Sequence, residues 1–193
     1  MRFIDFHTHH ASMAGETVIR QHEQSWGIHP KDAATAQWQP RPEGCMAIGE
    51  CGLDHLCGVP ARVQEELFRR HVSLSEEAGL PLIVHCVRAH EEILGLHRRL
   101  RPRQPWMVHG FRGKLSVMSR LLDEGMYISF GLLFNEESVR ACPAERLLTE
   151  TDDRPVAVDK VYAAIAAARG TTVAELAACM ERNFACLYGN RGI

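Results

Sequence analysis

What this chain lacks narrows its identity before any motif is considered. Its 193 residues hold no apolar run near the roughly 18 that a membrane-spanning helix needs, so no membrane association is expected. Arg2 is followed directly by Phe3-Ile4-Asp5-Phe6-His7, too short and too charged for the apolar stretch of a secretory leader. The seven cysteines (45, 51, 57, 86, 142, 179, 186) are odd in number and contain no C-x-x-C pair. That argues against a disulfide framework and against a cysteine-based structural zinc site, and makes a reducing, cytoplasmic setting the expectation. Neither sign of charge is in excess. The 22 basic and 24 acidic side chains leave −2, which excludes a basic nucleic-acid coat and an acidic disordered tail. Aromatic residues, at 7%, form no run that could act as a long stacking platform for single strands. Repeats, low-complexity stretches and long linkers are also missing, so residues 1–193 are expected to form a single domain with no obligatory protein partner.

What is plentiful is histidine, with 11 residues, several of them beside or inside apolar runs. Those runs are short and bounded by Gly or Pro, as buried strands of a parallel sheet should be. They are Phe3 to His7, Met46-Ala47-Ile48-Gly49, Leu82-Ile83-Val84-His85, Trp106-Met107-Val108-His109, residues 126–131 and residues 147–152, with weaker candidates at 25–29 and 16–19. Helical periodicity lies between them. Val63, Leu67, Phe68, Val72, Leu74 and Ala78 share one apolar side, as do Leu115, Met118, Leu121 and Leu122, and then Val158, Val161, Ile165 and Ala168. Thr172-Val173-Ala174-Glu175 reads as a capping box opening a last helix, with Gly189 suited to its C-terminus. Alternation on this spacing predicts βα units around a parallel sheet, either open and doubly wound or closed into a barrel.

The polar residues favour the barrel. Five of the runs close in a metal-ligand type: His7 and His9, Glu50, His85, His109 and Asp152. Residues i and i+2 of a strand share a face, so His7 and His9 can grip one ion together. A barrel brings the C-terminal ends of its strands to one rim, whereas an open sheet spreads them along an edge. Collecting this many ionisable groups without a compensating ion would also be costly.

The same residues resemble a family, the TatD-type metal-dependent hydrolases, also called TatD-related deoxyribonucleases. Ile4-Asp5-Phe6-His7-Thr8-His9 is similar to the family's D-x-H-x-H, and Gly27-Ile28-His29-Pro30 to its G-[VI]-H-P. Ala47-Ile48-Gly49-Glu50-Cys51-Gly52-Leu53-Asp54 resembles A-I-G-E-x-G-L-D, the most specific single match. Gln64 to His85, His109-Gly110-Phe111-Arg112-Gly113, Leu148-Thr149-Glu150-Thr151-Asp152 and Asn183-Phe184 follow in the family's order. The resemblance implies a shortened, irregular TIM-like (β/α) barrel of the metal-dependent hydrolase type, shortened because 193 residues lie just under the usual lower limit. It implies two divalent ions (Zn, Mg or Mn), with His7, His9 and Asp152 on the first, His85 and His109 on the second, and Glu50 bridging.

Two such ions roughly 3.5–4 Å apart acidify a water and neutralise charge on a phosphodiester, with Asp152 as candidate general base and Glu50 beside it. Glu150, two residues earlier on the same strand face, is a candidate partner orienting a histidine; the alternative is an interior carboxylate paired with a neighbouring strand. Arg88, Arg112, Lys114 and Arg154 follow strand ends and can pair with phosphate, and His29 and Asp54 are further substrate-binding candidates. The denser basic run from His97 to Arg103 ends a helix and precedes a strand, which puts it on the face opposite the metals. Trp26 and Trp38 are placed near the rim, and Trp106 at the bottom. The segment from His10 to Ser25 is too short for the helix and full strand usual in the family, and the H-S-R-D-A pattern appears as His85-Cys86-Val87-Arg88-Ala89, without its acid. The expected activity is cleavage of phosphodiester bonds at DNA ends. The alternatives are the same centre acting on another ester or amide, such as an aminoacyl-tRNA or a small metabolite, and a trimmed barrel that only binds.

Overall fold

Most of the apolar runs become strands because they are buried on both faces, between the other strands on one side and helices on the other; β2 is only partly buried. The computed structural model of the chain describes residues 1–11 and 16–189. Its strands are β1 (Phe3–Thr8), β2 (Glu16–Arg20), β3 (Ser25–Trp26), β4 (Ala47–Asp54), β5 (Leu82–Val87), β6 (Trp106–Val108), β7 (Tyr127–Phe130) and β8 (Leu147–Thr149). Its helices are α1 (Ala61–Ala78), α2 (His90–Leu100), α3 (Leu115–Asp123), α4 (Glu136–Ala141), α5 (Val158–Arg169) and α6 (Val173–Tyr188).

All the ladders are parallel. β1 pairs with β2, and β3 to β8 pair in sequence order. Two parallel bridges join these sheets into a ring, Gln21↔Ser25 between β2 and β3, and Thr8↔Asp152 between β1 and the end of β8. At the second seam the His9 N–H donates to Asp152 O at 3.0 Å and the Asp152 N–H to His7 O at 3.0 Å. The architecture is a (β/α) barrel with an incomplete outer layer.

The incompleteness is local. Helices α1 to α4 connect the strands from β4 to β8, and α5 follows β8. By contrast, β1 and β2 are joined by residues 9–15 and β2 and β3 by residues 21–24, shorter than the ten or more residues that a helical crossover takes. Between β3 and β4 there is one 3-10 turn, Pro30–Asp32. Helix α6 returns to cover β1, where Phe6 meets the rings of Phe184 and Tyr188 at 6.1 and 6.3 Å. Its capping box forms as predicted, with the Glu175 N–H donating to Thr172 Oγ1 and the Thr172 N–H to the Glu175 carboxylate.

Several element limits differ from the sequence reading. β4 continues to Asp54, the strand expected over 25–29 shrinks to two residues, and that over 147–152 stops at Thr149. The weakest candidate, 16–19, is a full strand. Helix α4, six residues long, is too short to show a period and was not anticipated. Trp106 packs outward from the start of β6 against Phe68 and His97, at ring distances of 5.2 and 4.9 Å. The basic run ties helices together away from the strand ends: Arg98 pairs with Glu124 at 2.6 Å and Arg103 with Glu76 at 3.1 Å.

Candidate metal centre

The site begins with an irregularity in β4. Ile48 lies opposite Leu82, but Cys51 lies opposite Val84, so three steps on β4 match two on β5 and the strand bulges. Glycines flank Glu50 in this bulge with φ of 127° at Gly49 and 151° at Gly52. A Cβ at Gly49 would sit 2.4 Å from Ile83 O, and one at Gly52 would sit 2.0 Å from His85 O. Only glycine allows β4 to press this closely on β5 while the bulge re-aims Glu50 into the barrel mouth.

There the Glu50 carboxylate, 3% exposed, divides its oxygens between two groups of imidazoles. Oε2 faces His7 Nε2 at 3.4 Å and His9 Nε2 at 3.2 Å. Oε1 faces His85 Nδ1 at 2.6 Å, His109 Nε2 at 2.9 Å and His29 Nε2 at 3.5 Å. Asp152 joins the first group, its Oδ1 3.7 Å from both His7 and His9. All six residues expected to hold metal are therefore together, with His29 beside them. Candidate ligand atoms lie within 4.8 Å of one another in the sets His7–His9–Asp152, His7–Glu50–His109, His29–Glu50–His85 and His109–Glu150–Asp152.

The electrostatics show what the cluster requires. Burial pushes the Glu50 carboxyl up, but the imidazoles of His109, His7 and His85 outweigh it and hold Glu50 far below the usual carboxylate range. Burial opposes protonation of His109, yet Glu50 and Glu150 raise it well above its ordinary value. The hydrogen bond to Glu50 raises His9. Positive charge at His9 and His109 is thus favoured by the carboxylates beside them. Both ring nitrogens of His7, Nε2 of His85 and Nδ1 of His109 are buried with no hydrogen-bond partner. Buried polar atoms are seldom left so, and a cation between Glu50 and Asp152 would satisfy His7 Nε2. Imidazole and carboxylate donors suit zinc, manganese or magnesium.

Two neighbouring groups reach the centre through other residues. Glu150, fully buried, accepts from the Gly110 N–H and has Oε1 3.8 Å from His109 Nδ1. Asp54 Oδ2 stands 3.5 Å from His85 Nε2 while its Oδ1 accepts from the Leu56 N–H at 2.7 Å. The Gln64 amide holds the loop after Asp54, accepting from the Asp54 N–H at 2.7 Å and donating to Val59 O at 2.7 Å.

Cavities open on both sides of the centre. One of about 320 Å³ is lined by His85, Arg88, His90, His109, Arg112 and Asp152. The other, about 280 Å³, is lined by His9, His22, His29, Lys31 and Glu50, among others. Arg154 lies with Arg112 and Asp152 along a small adjoining cleft. Lys114 is exposed at the start of α3 and lines none of these three.

Asp5 and His71 were missed. Asp5 accepts from the Thr151 N–H at 3.1 Å, Thr151 Oγ1 at 2.6 Å and the His7 N–H at 3.3 Å, fastening the Asp152 turn to the His7 strand. Burial pushes its carboxyl up to about 7 against those bonds. The alternation Asp5, His7, His9 carried the signal, since all share one strand face. His71, buried on α1, accepts the Ile28 N–H at its Nε2 (3.0 Å), holding the loop that carries His29. Trp38 packs tilted against His71 at 4.9 Å and edge-to-face with Trp26 at 5.0 Å, so both tryptophans brace this loop. The polar residues Gln64 and His71, seven apart on the buried side of α1, were the available signal.

A parallel barrel whose strand ends carry histidines and carboxylates around a shared glutamate defines the class of metal-dependent barrel hydrolases. Within that class, residues 4–189 match the family model described as TatD related DNase, and the chain belongs to that family. A "3'-5' ssDNA/RNA exonuclease TatD" of Klebsiella pneumoniae (strain 342) is 30% identical over 200 residues, covering 84% of this chain and 75% of the relative. An "Uncharacterized metal-dependent hydrolase YcfH" of Escherichia coli (strain K12) is 30% identical over 192 residues, covering 85% and 72%. Among solved structures, the TatD homologue YJJV of Escherichia coli K12 matches with a TM-score of 0.77 at 23% identity, covering 91% of this chain and 78% of that one.

Proposed function

We propose that this chain is a divalent-metal-dependent phosphodiesterase that cleaves at DNA ends and works as one unit, since its site draws on strands from β1 to β8. The observation that carries the reading is the division of Glu50 between two histidine groups, the arrangement expected of a carboxylate shared by two ions. His7, His9 and Asp152 would hold one and His85 and His109 the other, with zinc, magnesium or manganese as candidates. When bound, such ions supply charge neutralisation at the phosphodiester and acidify a water.

This chain's own residues do the rest. Asp152 borders the 320 Å³ cavity, so its carboxylate can reach a water aligned for in-line attack and take its proton. Glu150, 3.8 Å from His109 Nδ1, and Asp54, 3.5 Å from His85 Nε2, would orient these imidazoles. Arg88, Arg112 and Arg154 line the cavities beside the centre and could offer charge-assisted donors to phosphate oxygens. Burial lowers His29 to about 4, so it is neutral near pH 7, and with Nδ1 accepting from the Lys31 N–H its Nε2 is left as a hydrogen-bond donor. The exonuclease relative and the arginines support a nucleic-acid substrate. No helix among the described residues is long and apolar enough to cross a membrane, and a nucleic-acid substrate with free cysteines fits a cytoplasmic setting.

The test is hydrolysis of single-stranded oligonucleotides by metal-loaded protein, run beside a panel of amides, lactones and aminoacyl esters. Wild type should cut the oligonucleotide. Asp152→Asn should keep the fold, by circular dichroism, and lose hydrolysis. Retained activity in that variant removes Asp152 as the base, and turnover confined to the panel removes the nuclease reading.

A further inference from the structure

The shortest connection in the barrel holds a residue that no motif marks. Between β2 and β3 the chain turns within residues 21–24, and Gln21 pairs with Ser25 at the isolated bridge closing that part of the wall. Its side chain is buried and fully engaged. Oε1 accepts from the Glu50 N–H at 2.8 Å and from Ser25 Oγ at 2.9 Å, and Nε2 donates to Gly27 O at 3.5 Å. Its own N–H donates to Thr8 O at 2.9 Å, between His7 and His9. One residue therefore touches the β1 end, the β4 bulge and the start of the loop that carries His29.

The Glu50 N–H lies where the β4 ladder changes register, and the Gln21 amide supplies its acceptor. Gly27 allows this close approach, since a Cβ there would lie 2.6 Å from Gly49 Cα. With that acceptor in place the Glu50 peptide has one orientation, and the peptide's orientation directs the side chain. We infer that Gln21 is a positioning residue for the metal centre. It fixes the direction of Glu50 from the trimmed segment, in place of a helical connection. The inference rests on reading Glu50 as a shared ligand.

Cobalt(II) is the probe, titrated into metal-free protein, with visible d–d absorption reporting coordination geometry. Gln21→Met keeps length and removes the acceptor. Gln21→Asn keeps the amide but shortens its reach by one methylene, and serves where the first variant folds poorly. Either should weaken cobalt binding about 10-fold or more and change the absorption band at saturating cobalt. Val139→Ala, a buried change on α4 with no place in the site, should lower the melting temperature and leave affinity and band unchanged. A folded Gln21 variant with the wild-type band and affinity overturns the inference. Wild type that binds no cobalt overturns the metal-centre reading instead, so the two failures are distinct.

Discussion

From β4 onward every strand is followed by a helix, whereas among the described residues β1, β2 and β3 are followed by no α-helix, β1 and β2 leading into short connections and β3 into the longer segment 27–46. Yet both parts of the wall deliver candidate ligands to the same centre, His7 and His9 from the end of β1, Glu50, His85, His109 and Asp152 from the rest. The outer layer is therefore separable from the chemistry. In the complete part, strands are braced by apolar packing: Leu82, Trp106, Ile128 and Leu148 are at most 1% exposed. In the trimmed part, directional polar bonds share that work, with Asp5 on Thr151, Gln21 on Glu50 and His71 on Ile28.

The sharpest way to break the comparison is at Glu50, which belongs to both histidine groups. Glu50→Ala should abolish tight cation binding in calorimetric titration with zinc and cut hydrolysis by well over about 10²-fold, beyond the usual loss of an outer partner. Two ions still bound would show that the groups are independent. A smaller effect separates the two braces. Leu148→Ala on β8 should cost about 2–5 kcal/mol in denaturant unfolding, while Val18→Ala on half-buried β2 should cost less than about 1 kcal/mol. Equal costs would mean that the trimmed wall is packed like the rest.

The third test concerns pH. His71 is neutral in the fold because burial lowers it from 6.5 to about 4. Between these values the unfolded chain binds a proton that the folded chain does not, so His71 makes stability fall as pH drops from 6.5 towards 4. Asp5, raised to about 7, works in the opposite sense over this window, so the His71 contribution is read as a difference: in chemical melts of metal-free protein the gap between wild type and His71→Gln should change by on the order of 1–3 kcal/mol from pH 6.5 to 4. An unchanged gap would remove His71 as the titrating brace.

The cluster of candidate ligands was legible because each closes an apolar run, and a chain that buries its strands on both faces has few other reasons to end them in His, Glu or Asp. The closed ring followed from the same fact, since only closure brings those ends to one place. The bulge was not legible as geometry: Gly49 and Gly52 stand out, but two-residue alternation cannot show that one residue of β4 is extra. Gln21 was invisible for another reason. Its partners are a backbone N–H, a hydroxyl and a carbonyl, and a residue defined by such partners leaves no pattern in composition or spacing. Helix α4 fell below the length at which a 3.6-residue period can be counted.

The seam at Asp152 has a consequence for how the site comes into being. The backbone bonds that shut the ring, His9 to Asp152 and Asp152 to His7, run through candidate ligands themselves. Asp152 also holds a left-handed φ of 57°, a conformation that the closed seam maintains. Ring closure and completion of the first ligand group are thus a single event. A chain whose β8 has not met β1 would carry His7 and His9 without Asp152 beside them, so the candidate centre cannot be complete before the ring is closed.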